Sequence, residues 1–177
     1  LYQQAQAGQP LTLPAKTTAF QYWSHRLAEY APTMTAELDY WQTHLPNEPL
    51  TLPQTATASP QTVAQAETRS MKLSPEATRA LLQDAPAAYN TRINDLLLTA
   101  LAQAVGQVVG DERPLLINLE GHGREDLFED VDLSRTVGWF TTLFPVALPI
   151  YPADQLGQAI QAVKETLRHI PHNGLGY

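Results

Sequence analysis

Hydrophobic residues recur every three or four positions in several stretches of the chain, and this periodicity predicts helices. The first two helices are predicted for residues 17–31 and 33–45, where Trp23 and Trp41 lie on the apolar faces. Pro46 ends the second of them, since proline cannot continue a helix. Large aromatic side chains on such faces usually pack in a core, and we expect this of both tryptophans.

Three further helices are predicted in the rest of the chain. One begins at Ser74, which can cap it, and Pro75 suits its first position. The strongest pattern covers residues 91–109, with Thr91 as the predicted cap and Gly110 as the end. Its apolar stripe should pack against a sheet and comprises Ile93, Leu96, Leu97, Ala100, Leu101, Ala104, Val105 and Val108. The last helix covers residues 153–169, and Pro171 stops it.

Alternating side chains predict strands in three places. In residues 113–120, Leu115, Ile117 and Leu119 would face one side and Glu120 the other, at the end of the strand. A second strand lies within residues 136–150, with one face formed by Phe140, Thr142, Phe144, Val146 and Leu148. Its Pro145 indicates an edge strand or a bulge. A third strand, with weak alternation, is predicted for residues 63–73, after a surface loop at 46–62.

This order of helices and strands indicates a mixed α/β or α+β arrangement, with a sheet covered by helices. Composition then excludes several functions. The net charge is -7 and the chain has no basic stripe, which argues against nucleic-acid binding. No apolar run is long enough to span a membrane. With no cysteine, the chain lacks disulfides and thiolate metal ligands, which fits a cytoplasmic protein. Because it neither starts with Met nor ends on a closing element, we expect a piece of something longer.

The segment "EGHGRE", residues 120–125, carries the candidate chemistry. Glu120 would stand at a strand end, and the glycines at 121 and 123 permit unusual backbone angles and close approach of a ligand. A carboxylate in this place can move a proton. A group that does so near neutral pH needs a raised pKa, which burial provides. The negative charges of Asp126, Glu129, Asp130 and Asp132 would act in the same direction.

The same residues allow simpler interpretations. Glu120 could pair with Arg124 and close a turn, because ion pairs also engage carboxylates. His122 could be a base, a metal ligand or a side chain that pins the loop. The acids of "REDLFEDVD" fit no calcium-loop spacing, so we predict a solvated acidic surface and no metal site.

Several motifs resemble the epimerization domains of nonribosomal peptide synthetases, within the condensation-domain superfamily. They are "EGHGRE", "RTVGWFTTLFPV" at 135–146, "DLLLTAL" at 95–101 and "IPHNGLGY" at 170–177. The segments "LPAKTTAFQYWSHRLAEYA" and "ELDYWQTHL" are also similar to the family's. The resemblance thus covers nearly the whole chain in the family's order.

The resemblance implies a two-lobe fold like that of chloramphenicol acetyltransferase, present here in part. Residues 1–90 would be the later part of the first lobe, and residues 91–177 the first part of the second lobe. It also implies inversion at the Cα of an aminoacyl or peptidyl thioester, from L to D. The substrate would be carried on the 4'-phosphopantetheine arm of a neighbouring peptidyl carrier domain, with adjacent synthetase modules as further partners and no directly bound cofactor.

Within the resemblance, Glu120 matches the catalytic glutamate on one side of a substrate tunnel. The loop and tunnel residues would be Gly121, His122, Gly123, Trp139, Phe140 and Thr141. Arg124 would form a structural ion pair with the aspartate of the family's His-His-x-x-x-Asp-Gly motif. That motif, whose second histidine would act opposite Glu120, does not occur in this sequence, so we expect the chain alone to be inactive.

Two other functions stay open on the sequence. A condensation domain would join two carrier-bound substrates through an amide bond, but condensing members usually lack a glutamate at position 120. A non-catalytic relative would keep the fold as a structural or docking module.

Overall fold

In the computed structural model, residues 1–53 and 62–177 are described. The helices and strands are, in chain order, α1 (Tyr2–Gln6), α2 (Phe20–Tyr30), α3 (Leu38–His44), α4 (Pro75–Arg79), α5 (Ala85–Tyr89), α6 (Ile93–Val109), β1 (Leu115–Gly121), β2 (Thr142–Leu148) and α7 (Leu156–Arg168). Short 3-10 segments occupy Ala31–Glu37, Val63–Gln65 and Ala153–Gln155, and a π-helical turn at Ala80–Asp84 joins α4 to α5.

The chain divides into two compact units that interleave along the sequence. Unit 1 comprises Leu1–Asp39, Glu120–Leu143 and Pro171–Tyr177, and unit 2 comprises Tyr40–Leu119 and Phe144–Ile170. The predicted lobe segments, 1–90 and 91–177, refer to a complete two-lobe fold and stay a prediction.

The core of unit 2 lies between β1, β2, α6 and α7. Its buried residues are Trp41, Leu50, Ala102, Leu115, Phe144, Val146, Leu148, Val163 and Ile170. β1 pairs with β2, and Leu50 adds a parallel bridge to Leu115 on β1. The predicted faces of β1 are confirmed, because Leu115, Ile117 and Leu119 contact this core. Within the described ranges β2 pairs only with β1, as its Pro145 favours.

Unit 1 has a smaller core, which consists of Trp23, Leu133 and Phe140 and the partly buried residues around them. The alternation predicts that Phe140 shares a strand face with Phe144. Instead β2 begins at Thr142, and Phe140 packs in this separate core. Two threonines fasten the N-terminal segment to this unit: Thr18 N–H donates to the Asp132 carbonyl at 2.9 Å, and Thr136 Oγ1 donates to the Thr18 carbonyl at 2.6 Å.

The apolar stripe predicted for α6 is only partly confirmed, because Leu96 is buried and Val105 packs against the core while other members of the stripe are exposed. The buried residues of the helix are Asp95, Leu96, Thr99, Ala102 and Gly106, whereas Leu97, Leu101 and Val108 are exposed. The helix is apolar on most sides, so periodicity defines its buried face poorly. The packed face contains small residues, and a Cβ on Gly106 would lie 2.5 Å from Ile150 Cγ2. Close packing on small side chains therefore selects the face.

Four further boundaries differ from prediction. The strand at 63–73 does not form; Val63 is 93% and Met71 99% exposed, so neither apolar side chain is buried as a strand face would require. The second predicted helix starts as the 3-10 segment Ala31–Glu37 and becomes α3 only at Leu38. The last predicted helix likewise starts as a 3-10 turn, and α7 covers only Leu156–Arg168. Arg92, rather than Thr91, precedes α6, and its N–H donates to the Asp95 carboxylate at 2.8 Å.

The predicted surface loop at 46–62 falls largely outside the described residues, which omit 54–61. Among the residues that are described, no helix has the length and apolarity needed to cross a membrane.

Candidate functional site

Glu120 is the penultimate residue of β1, and its side chain is exposed. It lies on the strand face opposite Leu115 and Leu119, as alternation along the strand predicts. Within residues 1–53 and 62–177, no hydrogen bond or ion pair engages its carboxylate. The alternative in which Glu120 pairs with Arg124 and closes a turn is therefore not what this chain adopts. The carboxylate is accessible to a ligand from solution.

The glycines around His122 have different roles. Gly121 ends β1 as a strand residue. Gly123 has a φ of +65°, and a Cβ at this position would lie 1.7 Å from the Phe140 carbonyl oxygen. Only glycine satisfies both conditions. The chain can therefore turn away from the strand and pass directly against the backbone of Phe140.

Arg124 fixes the segment that follows the loop. Its Nη1 donates to the Leu133 carbonyl at 2.6 Å, and its Nη2 donates to the Thr136 carbonyl at 2.8 Å. The guanidinium carbon also lies 4.0 Å from the centroid of the Phe140 ring. A planar guanidinium is suited to this combination of forked donation and stacking. The predicted carboxylate partner belongs to a motif that this sequence lacks, so the ion pair stays a prediction.

His122 is engaged by its own loop. Its Nδ1 accepts the Arg124 N–H at 3.0 Å, which places the proton of a neutral imidazole on Nε2. That Nε2 lies 3.6 Å from Glu125 Oε1. The ring is 71% exposed, and its Nδ1 lone pair is already used by the backbone. This geometry favours the loop-pinning interpretation of His122.

The three residues predicted for the tunnel wall are placed differently. Phe140 is buried and makes an edge-to-face contact with Phe20, with ring centroids 5.0 Å apart. Trp139 is 84% exposed, and Thr141 is exposed as well. Phe140 therefore supports the loop from beneath, while Trp139 and Thr141 are available to a ligand.

A second carboxylate, which contacts the turn at 171–174, was missed by sequence reasoning. Glu37 is 8% exposed, and its Oε1 lies 2.6 Å from His172 Nδ1. The next residue, Asn173, donates from Nδ2 to Glu125 Oε2 at 2.7 Å. The Asn-Gly pair at 173 and 174 signals a turn, but no sequence pattern connects residues 135 positions apart.

Two of the four acids in the acidic segment at 126–132, Asp130 and Asp132, accept hydrogen bonds. The Tyr22 hydroxyl donates to Asp130 Oδ2 at 2.7 Å, which lowers the pKa of Asp130 and raises the pKa of Tyr22. Hydrogen bonds from Ser134 likewise lower the pKa of Asp132. In the described part of the chain, no group of three or more His, Asp or Glu side chains could hold a metal ion.

Comparison with known proteins agrees with this architecture. A family model described as "Condensation domain" matches residues 1–177. Bacitracin synthase 2 of Bacillus licheniformis is 44% identical over 178 residues, which cover 99% of this chain and 7% of that protein. This chain thus spans only a small part of the curated relative's length.

Solved structures of epimerization and condensation domains are also similar to this chain. The epimerization domain from the third module of tyrocidine synthetase B is similar with a TM-score of 0.85 and 38% identity, over 99% of this chain and 41% of that one. The first condensation domain of the CDA synthetase is similar with a TM-score of 0.67 and 16% identity, over 98% and 36%, which shows the shared fold alone. The mixed helix and strand structure is thus a partial chloramphenicol acetyltransferase-like fold. The chain belongs to the condensation-domain superfamily of nonribosomal peptide synthetases.

Proposed function

We propose that this chain is part of an epimerization domain, which inverts the Cα of an aminoacyl or peptidyl thioester from L to D. The observation that carries the proposal is the accessible Glu120 carboxylate, held at the end of β1 just before a turn that only glycine allows at position 123. The similarity in structure and sequence to an epimerization domain supports it.

The chemistry requires a base close to the α-carbon. A thioester makes its α-proton more acidic than an amide does, because its carbonyl better delocalises the negative charge left behind. Glu120 would remove this proton from one face of the substrate. It is exposed in this chain, so a bound substrate would have to supply the dry surroundings that make a carboxylate more basic.

Inversion also requires an acid on the opposite face. The resemblance assigns that role to a histidine of a motif that is not in this sequence. The substrate would arrive on the 4'-phosphopantetheine arm of a peptidyl carrier domain. The exposed Glu120 carboxylate and the side-chain-free backbone of Gly121 fit a substrate that enters from solution on a long arm.

The test is Glu120→Gln in the full-length protein that carries this chain, loaded with an aminoacyl thioester on its carrier domain. The substitution keeps the size of the side chain and removes its basicity. We expect exchange of the α-proton with solvent deuterium to fall by a factor of about 10² or more. Mass spectrometry of the released amino acid measures this exchange.

Glu129→Gln is the matched control, because Glu129 is also exposed and lies on the segment that follows the same loop. It should exchange at the parent rate. Exchange by the Glu120 variant at the parent rate would remove Glu120 from the mechanism. If the parent protein instead forms an amide bond between two carrier-bound substrates without α-exchange, it is a condensation domain.

A further inference from the structure

The segment Pro171–Gly174 contains two consecutive residues in a conformation that their side chains disfavour. His172 has φ 42° and ψ 38°, and Asn173 has φ 49° and ψ 36°. This is the left-handed region, which non-glycine residues adopt only at an energetic cost. Asparagine and histidine adopt it more often than most residues do, but as single residues and not two in succession. The surrounding structure must therefore hold this turn in place.

Glu37 holds the first of the two residues. The Glu37 side chain is 10% exposed, and its Oε1 lies 2.6 Å from His172 Nδ1, a distance typical of a strong hydrogen bond. Its second oxygen, Oε2, is buried and has no hydrogen-bond partner within the described residues. A Cβ on Gly176 would lie 2.3 Å from Oε2, so the backbone of Gly176 packs directly against the carboxylate. A buried oxygen without a partner costs free energy, so the well-aligned hydrogen bond between Oε1 and His172 is important for keeping the Glu37 carboxylate buried.

Glu125 holds the second residue, Asn173. Its Oε2 accepts from Asn173 Nδ2 at 2.7 Å, and its side chain is 17% exposed. Its Oε1 faces His122 Nε2 at 3.6 Å. Glu125 thus connects the left-handed turn to the loop that follows β1.

We propose that Glu37 and Glu125 are positioning residues, which hold the left-handed turn at 172–173 and so fix the loop that follows β1, next to Glu120. This inference rests on the proposed function, because its effect on catalysis passes through Glu120. Neither carboxylate needs to touch the substrate. A displacement of the loop by about 1 Å would be enough to impair proton transfer.

The experiment compares Glu37→Gln with the double variant Glu37→Gln and His172→Gly in the full-length protein, by α-proton exchange. Glu37→Gln replaces the charge-assisted hydrogen bond to His172 Nδ1 by a weaker neutral one. It should lower kcat about tenfold or more and leave KM within about twofold, because the turn is held less firmly while substrate binding is kept. Glycine adopts the left-handed conformation without strain. The double variant should therefore regain most of the lost kcat. A loss that it does not regain would assign Glu37 to core packing and overturn its positioning role.

Glu125→Ala is the second variant, since Glu125 lies on a loop and its loss endangers folding less than a change at Glu37. We expect a similar fall in kcat, whereas Glu129→Ala, on an exposed carboxylate nearby, should match the parent. Thermal unfolding shows whether each variant is folded. If Glu37→Gln is unfolded, the kcat of Glu125→Ala alone tests the positioning role.

Glu120→Gln, measured alongside, separates the two proposals. Exchange in the parent that Glu120→Gln abolishes, together with unchanged kcat in folded Glu37→Gln and Glu125→Ala, would refute the positioning role alone. Absence of exchange in the parent would refute the proposed function and this inference with it.

Discussion

Gly123 illustrates, at the scale of a single residue, how the absence of a side chain shapes the candidate site. Its positive φ and its contact with the Phe140 carbonyl are independent requirements, and each excludes other residues. The loop that follows Glu120 therefore has its path set by the backbone, and the hydrogen bonds from Arg124 to two carbonyl oxygens stabilise it. Sequence alone pointed to both glycines equally, but only Gly123 needs its conformational freedom.

The first prediction compares Gly123→Ala with Gly110→Ala. Both glycines have a similar positive φ, of +65° and +70°, but a Cβ at Gly110 meets nothing within 4 Å. Gly110→Ala should lower the free energy of unfolding by about 1 kcal/mol, the cost of a left-handed alanine. Gly123→Ala should lower it by about 3 kcal/mol or more, because steric overlap is added. Urea unfolding measures both, and equal losses would show that the contact with Phe140 is easily relieved.

At the scale of elements, the packing of α6 depends on small side chains. Gly106 lies on the buried face of this helix, where Ile150 approaches more closely than a Cβ would allow. α7 places two cations near the end of α5: Lys164 Nζ donates to the Tyr89 carbonyl at 3.2 Å and Arg168 Nη2 to the Asn90 carbonyl at 2.7 Å. These contacts fix the helices of unit 2 around β1 and β2.

The second prediction compares Gly106→Ala with Gly157→Ala. Alanine is favoured over glycine inside a helix by about 1 kcal/mol, so propensity alone would make both changes stabilising. At Gly157 a Cβ meets only the Tyr89 ring, at 3.6 Å or more, and this variant should be slightly more stable than the parent. At Gly106 the clash with a stiff β-branched side chain should outweigh propensity and destabilise the chain by about 1–3 kcal/mol. A stabilised Gly106→Ala, measured by thermal unfolding, would show that α6 packs less tightly than the distances imply.

At the scale of the whole molecule, each compact unit has its own core. Each unit also has exposed carboxylates whose charged form is stabilised by hydrogen bonds. Hydrogen bonds hold the pKa of Asp130 below its usual range through Tyr22, and that of Asp111 through Arg113. The backbone N–H of Glu76 itself, together with the Ser74 hydroxyl, does the same for the pKa of Glu76. A carboxyl whose pKa is lower in the folded state contributes stability above its unfolded pKa and loses it as the pH falls through its folded pKa.

The third prediction is therefore acid sensitivity below the ordinary aspartate pKa of 3.8. The free energy of unfolding should be constant near neutral pH and should decrease below about pH 4. Asp130→Asn should show a smaller decrease over this range, whereas Asp126→Asn should behave as the parent. Asp126 suits as the control because it is exposed and has no hydrogen bond from its side chain among the described residues. Urea unfolding at several pH values measures this, and an identical acid decrease in the Asp130 variant would contradict it.

The sequence by itself determined the elements whose pattern is strong and local. Alternation in β1 identified its buried face and put Glu120 on the other side, and the periodicity of α2 and α7 identified both helices because their polar and apolar faces are distinct. The motifs around "EGHGRE" also determined the family, since they recur in a fixed order along the chain.

Only the tertiary structure decided the features that depend on distant residues. The buried face of α6 follows from which neighbour fits against Gly106. The strand predicted for residues 63–73 does not form, and its apolar residues Val63 and Met71 are exposed. The pair of Glu37 and His172 joins residues that no local pattern relates. Local propensity records what a segment can form, whereas packing and long-range hydrogen bonds select the side chains that meet.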